Sequence, residues 1–367
     1  MFRKVIRYGI YSVITLSLVF LLLERLSRIL LPVTAKLYGQ YSKDALRKPY
    51  PYIMFKGQPL AAYEKGERLN ELGYRGKSPD HPKEAEEFRV FVIRGSTVFF
   101  GDSPISDLLE EKFHKDGKTQ VQCYNFGVVS SVSTQELVRM LLELIDFDPD
   151  LIVMYNGGND IFSPLFIDPR PGYPYNFIVY ENNPLLKADL SEYPLIPLIA
   201  FGSNIMRILK PSYFLDRFVN MKEAKKEAGF LTEEWKEKVV NIYFHNMVKA
   251  AKISRDYGAQ FYVFFQPSAY NKKSYTSTET QNLRMNQKEY RDSFKDATQF
   301  AKEMQNRVRA VFRQSPPDLN FIDLSDIFFE DPQDVFKDTL HIYEDKNTVI
   351  AEALYQTLKN TVPQSSP

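Results

Sequence analysis

Residues 88–97 read FRVFVIRGST, a run of strand-forming residues that stops at Arg94 and Gly95 and is followed by Ser96. β-branched and aromatic residues at nearly every position are typical of a strand that is buried on both faces. The stretch SDLLEEKFHK (106–115) then has the apolar spacing of a helix. Ser96 therefore stands where the chain leaves a buried strand. Its hydroxyl is either a reactive group or a cap for the next helix.

The same alternation continues along the chain. Further apolar runs, each with the length of a strand, are VQCYNFG (121–127), DLIVMYNGG (150–158), AQFYVFFQP (259–267) and NFIDLSD (320–326). Helical patterns between and after them cover residues 133–145, 232–258, 283–314 and 344–360. Strands that alternate with helices predict a three-layer α/β/α domain with a five-stranded parallel sheet. We expect this domain to span residues 87–362.

The alternation is interrupted after the third strand. Residues 161–231 are rich in proline and aromatic residues and are predicted to form an insertion. It would emerge at the carboxyl ends of the strands, where open α/β sheets bind their ligands. The insertion is either a lid or substrate wall, or an additional packing layer without contact to substrate.

The N-terminus has the composition of a membrane-targeting segment. Three basic residues, Arg3, Lys4 and Arg7, precede the uncharged stretch 8–23. As a helix this stretch is about 24 Å long, which is close to the thickness of a hydrocarbon core. We predict an uncleaved membrane anchor over residues 1–32, and a signal peptide cleaved after Ala35 is the alternative.

The basic residues at the N-terminus also predict an orientation. They place the short tail in the cytoplasm and the main domain in the periplasm or outside the cell. Residues 33–86 lack sustained periodicity and are predicted to be a juxtamembrane segment and linker.

Composition excludes several classes of function. The chain has 47 basic and 46 acidic residues, so a nucleic-acid partner is not expected. The single cysteine, Cys123, allows neither an intrachain disulfide nor a cysteine metal cluster. Paired histidines with metal-ligand spacing and a glycine-rich phosphate loop are both missing from the sequence, so we predict no metal and no cofactor. Nothing in the sequence indicates an oligomeric state.

Polar residues fall at the ends of the predicted strands. Ser96 follows the first strand, Gly127 ends the second, and Asn159 follows the third. Asp338 and His341 precede the last helix. In a parallel sheet these positions share one edge, and acyl transfer needs such a set of nucleophile, base, orienting carboxylate and oxyanion donors. His341 is the preferred base because His81, His114 and His245 lie in a linker or within helices.

This set resembles the SGNH, or GDSL, hydrolase superfamily over residues 88–360. The blocks occur in order as Gly-Ser (95–96), NFG (125–127), GGND (157–160) and DTLH (338–341), and the upstream NELGYRG (70–76) is similar to a stretch in exported bacterial members. The resemblance implies a catalytic triad of Ser96, His341 and Asp338. It also implies an oxyanion hole formed by Ser96, Gly127 and Asn159. Each block alone has a simpler interpretation as a helix cap or a turn.

The block around the nucleophile departs from the family pattern at Arg94, which stands where glycine is common. If its side chain reached the sheet edge, Arg94 would contact an anionic substrate group or obstruct the site. The expected function is a serine esterase that removes O-acyl groups, for example acetyl, from an extracytoplasmic glycan or lipid. An O-acyltransferase with the same triad and a non-catalytic glycan-binding or partner-binding module are the alternatives.

Overall fold

A computed structural model of the protein describes residues 2–35, 45–63, 66–99, 101–175, 177–181, 220–289 and 297–364. The chain divides into two compact units. One contains residues 1–44 and 176–227, and the other contains residues 45–175 and 228–367. Most of the predicted insertion, residues 182–219, lies outside the described residues.

The described helices and strands are as follows. The helices are α1 (Phe2–Ala35), α2 (Ser96–Phe99), α3 (Ile105–Lys115), α4 (Ser133–Arg139), α5 (Gly158–Phe166), α6 (Phe177–Glu181), α7 (Met221–Glu227), α8 (Glu233–Asp256), α9 (Ser277–Glu289), α10 (Ala297–Phe312) and α11 (Asn347–Leu358). The strands are β1 (Lys48–Tyr50), β2 (Met54–Lys56), β3 (Phe88–Arg94), β4 (Val121–Gly127), β5 (Leu151–Asn156), β6 (Gln260–Phe265) and β7 (Asn320–Asp323).

The larger unit is built on a five-stranded sheet in which every neighbouring pair of strands is parallel. Its strand order is β4-β3-β5-β6-β7, which is the flavodoxin-like order. The predicted fold class is confirmed. The predicted helix over 283–314 corresponds to two helices, α9 and α10, with residues 290–296 between them outside the described part.

Helices cover both faces of the sheet because its strands are apolar on both sides. On one face, Val90 and Val92 belong to a buried cluster with Leu109 and Phe113 of α3 and Leu354 of α11. On the other face, aromatic side chains of α8 and α10 pack on β6 and β7, through the ring pairs Tyr243–Phe265 and Phe312–Phe321. The sheet is therefore the middle of three layers, and its carboxyl edge is left for loops.

The larger unit begins at Ala45, much earlier than the predicted start of the folded domain near residue 87. Phe55 and Tyr74 are fully buried, and the Tyr74 ring packs edge-on against Phe126 at a centroid distance of 4.9 Å. The Arg75 guanidinium donates to the carbonyl of Phe99, at 2.7 Å, at the end of α2. The predicted linker thus includes residues that support the turn after β3, through contacts that periodicity does not reveal.

Helix α1 belongs to the smaller unit. Its residues Lys4–Leu23 form a 20-residue span that is long and apolar enough to cross a membrane, with none of it buried. Twenty helical residues are about 30 Å long, which matches a hydrocarbon core. The span is compatible with either a membrane anchor or a signal sequence.

Candidate active site

Ser96 is the first residue of α2, directly after strand β3 and Gly95. A Cβ at position 95 would lie 2.7 Å from the Asn159 amide nitrogen, so a larger residue there would displace this amide. The Ser96 hydroxyl is 8% exposed and lies 2.5 Å from His341 Nε2. The structure therefore places the predicted nucleophile against the predicted base.

His341 is oriented by Asp338, three residues earlier in the same loop. His341 Nδ1 lies 2.6 Å from Asp338 Oδ2, while the backbone N–H groups of Leu340 and His341 both donate to Oδ1 at 2.8 Å. Burial alone would raise the pKa of Asp338, but these hydrogen bonds and the interaction with His341 outweigh it and lower the pKa. An ionised Asp338 accepts a hydrogen bond from Nδ1–H. The other ring nitrogen, Nε2, then carries no hydrogen and can accept the proton of the Ser96 hydroxyl.

The loop that carries this pair is fixed to the rest of the domain. The Lys337 N–H donates to the His341 carbonyl at 2.8 Å, and the Ala269 N–H donates to the Thr339 carbonyl at 2.9 Å. Phe336 and Ile342 form an antiparallel bridge around the turn. The geometry of Asp338 and His341 is therefore held by backbone contacts on both sides.

Asn159 supplies an amide at the same cavity. It is half-buried in the first turn of α5 and donates from Nδ2 to the Ser131 carbonyl at 2.7 Å. The cavity has a volume of about 250 Å³, and its lining includes Ser96, Ser130, Asn159 and His341. Because an amide nitrogen carries two hydrogens, Asn159 retains one for a substrate oxygen.

Gly127, a predicted oxyanion donor, is placed away from this cavity. Its N–H donates to the Asn125 side chain at 2.9 Å, and Gly127 does not line the cavity. Ser130, three residues later, does line it and has φ = 67°, a left-handed conformation that favours glycine. Among the described residues, none accepts a hydrogen bond from the Ser130 N–H. Ser130, and not Gly127, therefore lines the cavity in this part of the chain.

Arg94, considered in the sequence analysis as a possible substrate contact or an obstruction, does not line the cavity. Arg94 is 3% exposed and lies outside the lining of the cavity. Its guanidinium sits 4.3 Å from the ring centroid of Tyr155 and donates to the Gln266 side chain. Burial lowers the pKa of Arg94 to about 10. Strand β3 is buried on both faces, so Arg94 at its last position lies in the core.

Arg47 is a cavity residue that the sequence analysis missed. It donates from Nη1 to Ser130 Oγ at 3.3 Å, and its guanidinium lies 5.7 Å from the ring centroid of Tyr175. Both Arg47 and Tyr175 line the cavity. No motif marks Arg47, which lies in the stretch predicted to be a linker.

A second cavity of about 320 Å³ also reaches His341. It shares Asp338 and His341 with the first cavity, and its other lining residues are Thr97, Gly101, Lys337, Ile342, Glu344 and Asn347. Within the described part of the chain, no group of three or more His, Cys, Asp or Glu side chains is arranged to hold a metal ion.

Neither a protein-family model nor a curated protein sequence matches the chain. Three similar solved structures are an acetyl xylan esterase, a lipase/acylhydrolase from Enterococcus faecalis and a GDSL-like lipase from Bacteroides thetaiotaomicron. Their identities to this chain are 11%, 11% and 13%, with TM-scores of 0.43, 0.42 and 0.39. The alignments cover 74%, 76% and 77% of this chain and 100%, 100% and 92% of the other chains.

The five parallel strands bring three of the four sequence blocks that carry the resemblance to one cavity. Gly-Ser, GGND and DTLH contribute directly to this cavity. The NFG block contributes through Ser130, which follows it.

Proposed function

We propose that the protein is an SGNH-type serine acylhydrolase that cleaves O-acyl esters of an extracytoplasmic glycan. The observation that carries this proposal is the continuous contact from Ser96 Oγ to His341 Nε2 and from His341 Nδ1 to Asp338, at 2.5 and 2.6 Å. A serine hydroxyl is a weak nucleophile without such a base. Here the base and its orienting carboxylate lie beside a cavity whose lining includes Ser96, Ser130 and Asn159.

The reaction follows from these positions. Ser96 Oγ transfers its proton to His341 Nε2 and bonds to the ester carbonyl carbon, so the carbonyl oxygen becomes an oxyanion. When the intermediate collapses, the ester C–O bond breaks and the leaving alcohol takes the proton from His341. Water then repeats the sequence on the acyl-enzyme, which releases the acid and restores Ser96.

Three donors are positioned to stabilise the oxyanion. They are the Ser96 N–H at the start of α2, the Ser130 N–H and the Asn159 side-chain amide. Donors that are already oriented in the free enzyme need no reorganisation when charge develops on the oxygen. Ser130 replaces Gly127 in the set expected from the resemblance.

The two cavities favour a small acyl group and a polar alcohol. The first cavity, of about 250 Å³, includes Phe162, Phe166 and Leu340 in its lining. Apolar walls of this size suit a short acyl chain such as acetyl. The second cavity shares Asp338 and His341 with the first, and its lining includes Lys337, Glu344 and Asn347. Hydrogen-bonding side chains there suit a sugar hydroxyl as the leaving group.

The location of the substrate is proposed from the N-terminal helix. The span Lys4–Leu23 would hold the protein in a membrane, and the basic residues before it favour an N-terminus in the cytoplasm. The larger unit would then act outside the cytoplasm. N-terminal sequencing of the membrane fraction tests the anchor, because a chain that starts at Lys36 would have lost it.

The catalytic proposal is tested with the full chain in detergent micelles. We expect the wild type to be labelled by a fluorophosphonate and to hydrolyse an aryl acetate. Ser96→Ala should abolish labelling and lower kcat by about 10⁴-fold or more, because the covalent intermediate cannot form. Ser254→Ala is the matched control, since this buried hydroxyl only donates to the Ala250 carbonyl of its own helix and to a methionine sulfur.

A wild type that is not labelled by the fluorophosphonate and does not hydrolyse the aryl acetate, like Ser96→Ala, would contradict the proposal that the protein is an enzyme. The acyl acceptor is then identified with an acetylated oligosaccharide and an acetylated glycerolipid as competing substrates. Release of acetate from the oligosaccharide supports the glycan assignment. Preference for the lipid, or transfer of acetyl to a second sugar in place of water, would replace that part of the proposal.

A further inference from the structure

Asp160 is a buried carboxylate that the triad does not use. It follows Asn159 in the first turn of α5 and is 4% exposed. The Ser133 N–H lies 3.1 and 3.2 Å from its two oxygens, and the Ser133 hydroxyl also donates to it. Asn246 of α8 donates to the Ser133 hydroxyl at 2.9 Å, which completes the hydrogen bonds of that group.

Ser133 ends the segment 130–133, which also provides an oxyanion donor. Asn159 Nδ2 donates to the Ser131 carbonyl at 2.7 Å, and the Ser131 hydroxyl donates to Glu136 at 3.1 Å. The segment is thus joined to the start of α5 at two points, by Asn159 and by Asp160. Ser130 and Asn159, which belong to different segments of the chain, are held together by these bonds.

We infer that Asp160 is a positioning residue for the oxyanion hole, which it holds in shape by binding Ser133 while its neighbour Asn159 binds Ser131. The inference rests on the proposed function. Asp160 does not line the cavity, so it acts through Ser133 and through its neighbour Asn159. A displacement of the donors by about 1 Å would be costly, since their effect depends on their position relative to the developing charge.

The charge of Asp160 depends on groups from each element that faces it. Burial, followed by the charge of Glu136 from α4, raises the pKa of Asp160 to about 7. Tyr243 of α8 interacts with it electrostatically, and Arg94 of β3 acts on Glu136. Above pH 7 the ionised carboxylate accepts all three contacts from Ser133. Below pH 7 one of its oxygens carries a proton, and this oxygen is then a weaker acceptor for the hydrogen bonds from Ser133.

The test compares Asp160→Asn with the wild type in the full chain in micelles, with an aryl acetate as substrate. At pH 8.5 we expect kcat to fall by about tenfold to a hundredfold with KM within about twofold, because donor geometry acts on the transition state. Near pH 6 the kcat values of the two enzymes should become similar, since wild-type Asp160 is then neutral, like the asparagine of the variant. Asp168→Asn is the matched control, because this buried aspartate is three percent exposed, follows the same helix and pairs with Arg170.

Ser133→Ala provides a second route to the same contact. It removes the hydroxyl donor and keeps the N–H, so we expect a smaller loss of kcat than for Asp160→Asn. The double variant should have the same kcat as Asp160→Asn alone, because both substitutions disrupt the same contact between Ser133 and Asp160. Urea unfolding followed by the fluorescence of the single tryptophan, Trp235, identifies any variant that fails to fold; in that case Ser133→Ala carries the test.

An Asp160→Asn enzyme that unfolds at lower urea but keeps the wild-type kcat would overturn the inference, since Asp160 would then only stabilise the fold. An equal loss of kcat at pH 6 and pH 8.5 would also overturn it, because the loss would not follow the charge. A wild type without Ser96-dependent turnover is a different result, which contradicts the proposed function itself.

Discussion

The domain contains two polar regions that differ in how much freedom their side chains have. In the catalytic loop, the side chains of His341 and Asp338 are 35% and 34% exposed and each reaches a cavity. In the cluster behind the cavity, Glu136 and Asp160 are 1% and 4% exposed and accept hydrogen bonds from Ser131, Asn156 and Ser133. The proposed function assigns proton transfer to the first region, whereas the buried groups of the second hold other residues in place.

This difference separates the chemistry of the site from its support. Removing a group of the catalytic loop should abolish turnover with little change in stability. Removing a group of the buried cluster should change donor geometry, stability or both, and should leave the nucleophile intact. Asp338→Asn, Asn159→Ala and Ser130→Gly, in decreasing order of their expected effect on kcat, test whether the two regions differ in function as they do in burial.

The largest effect is expected for Asp338→Asn. The amide would still contact His341, but it would favour the tautomer that has its proton on Nε2, where a base cannot accept from Ser96. We expect kcat to fall by about 10⁴-fold, with the free energy of unfolding changed by less than about 1 kcal/mol. Asp334→Asn is the control, since that carboxylate belongs to the same loop and accepts from Thr276 rather than from His341. A loss of less than tenfold would mean that Asp338 does not orient the base.

A smaller effect is expected for Asn159→Ala, which removes one oxyanion donor and also the bond to the Ser131 carbonyl. Loss of a single donor of this kind lowers kcat by about 10²- to 10³-fold. Labelling of Ser96 by a fluorophosphonate should be slowed but retained, because the Ser96–His341 contact does not involve Asn159. An unchanged kcat would show that the cavity binds the carbonyl oxygen elsewhere.

Much of the catalytic loop could be predicted from the sequence because its geometry is local. Asp338 and His341 are three residues apart, and one turn of backbone places the carboxylate on both the imidazole and its own N–H. Ser96 and Asn159 were also predictable, since each follows a strand whose apolar pattern marks where the sheet edge lies. The five strands and their parallel arrangement follow from the same patterns.

The supporting residues could not be predicted, because their partners are distant in sequence. Asp160 meets Ser133 from 27 residues away, and Arg47 meets Ser130 from 83 residues away. Ser130 has a left-handed backbone without the glycine that would mark it, so the nearby Gly127 was chosen instead. The sequence leaves open whether Arg94 reaches the sheet edge, whereas in the structure it lies in the core at the end of β3.

The smallest effect is expected for Ser130→Gly, which asks whether the N–H or the hydroxyl of Ser130 acts on substrate. Glycine keeps the N–H, adopts φ = 67° without strain and loses the bond from Arg47. We expect kcat within about threefold of wild type and a free energy of unfolding within about 1 kcal/mol. Leu60→Gly is the matched control, since Leu60 has φ = 60° in an exposed loop outside the cavity. If Ser130→Gly lowers kcat by more than tenfold while Leu60→Gly does not, the hydroxyl and Arg47 belong to the catalytic region. The Ser130 side chain would then act on the substrate, and would not only support the residues that do.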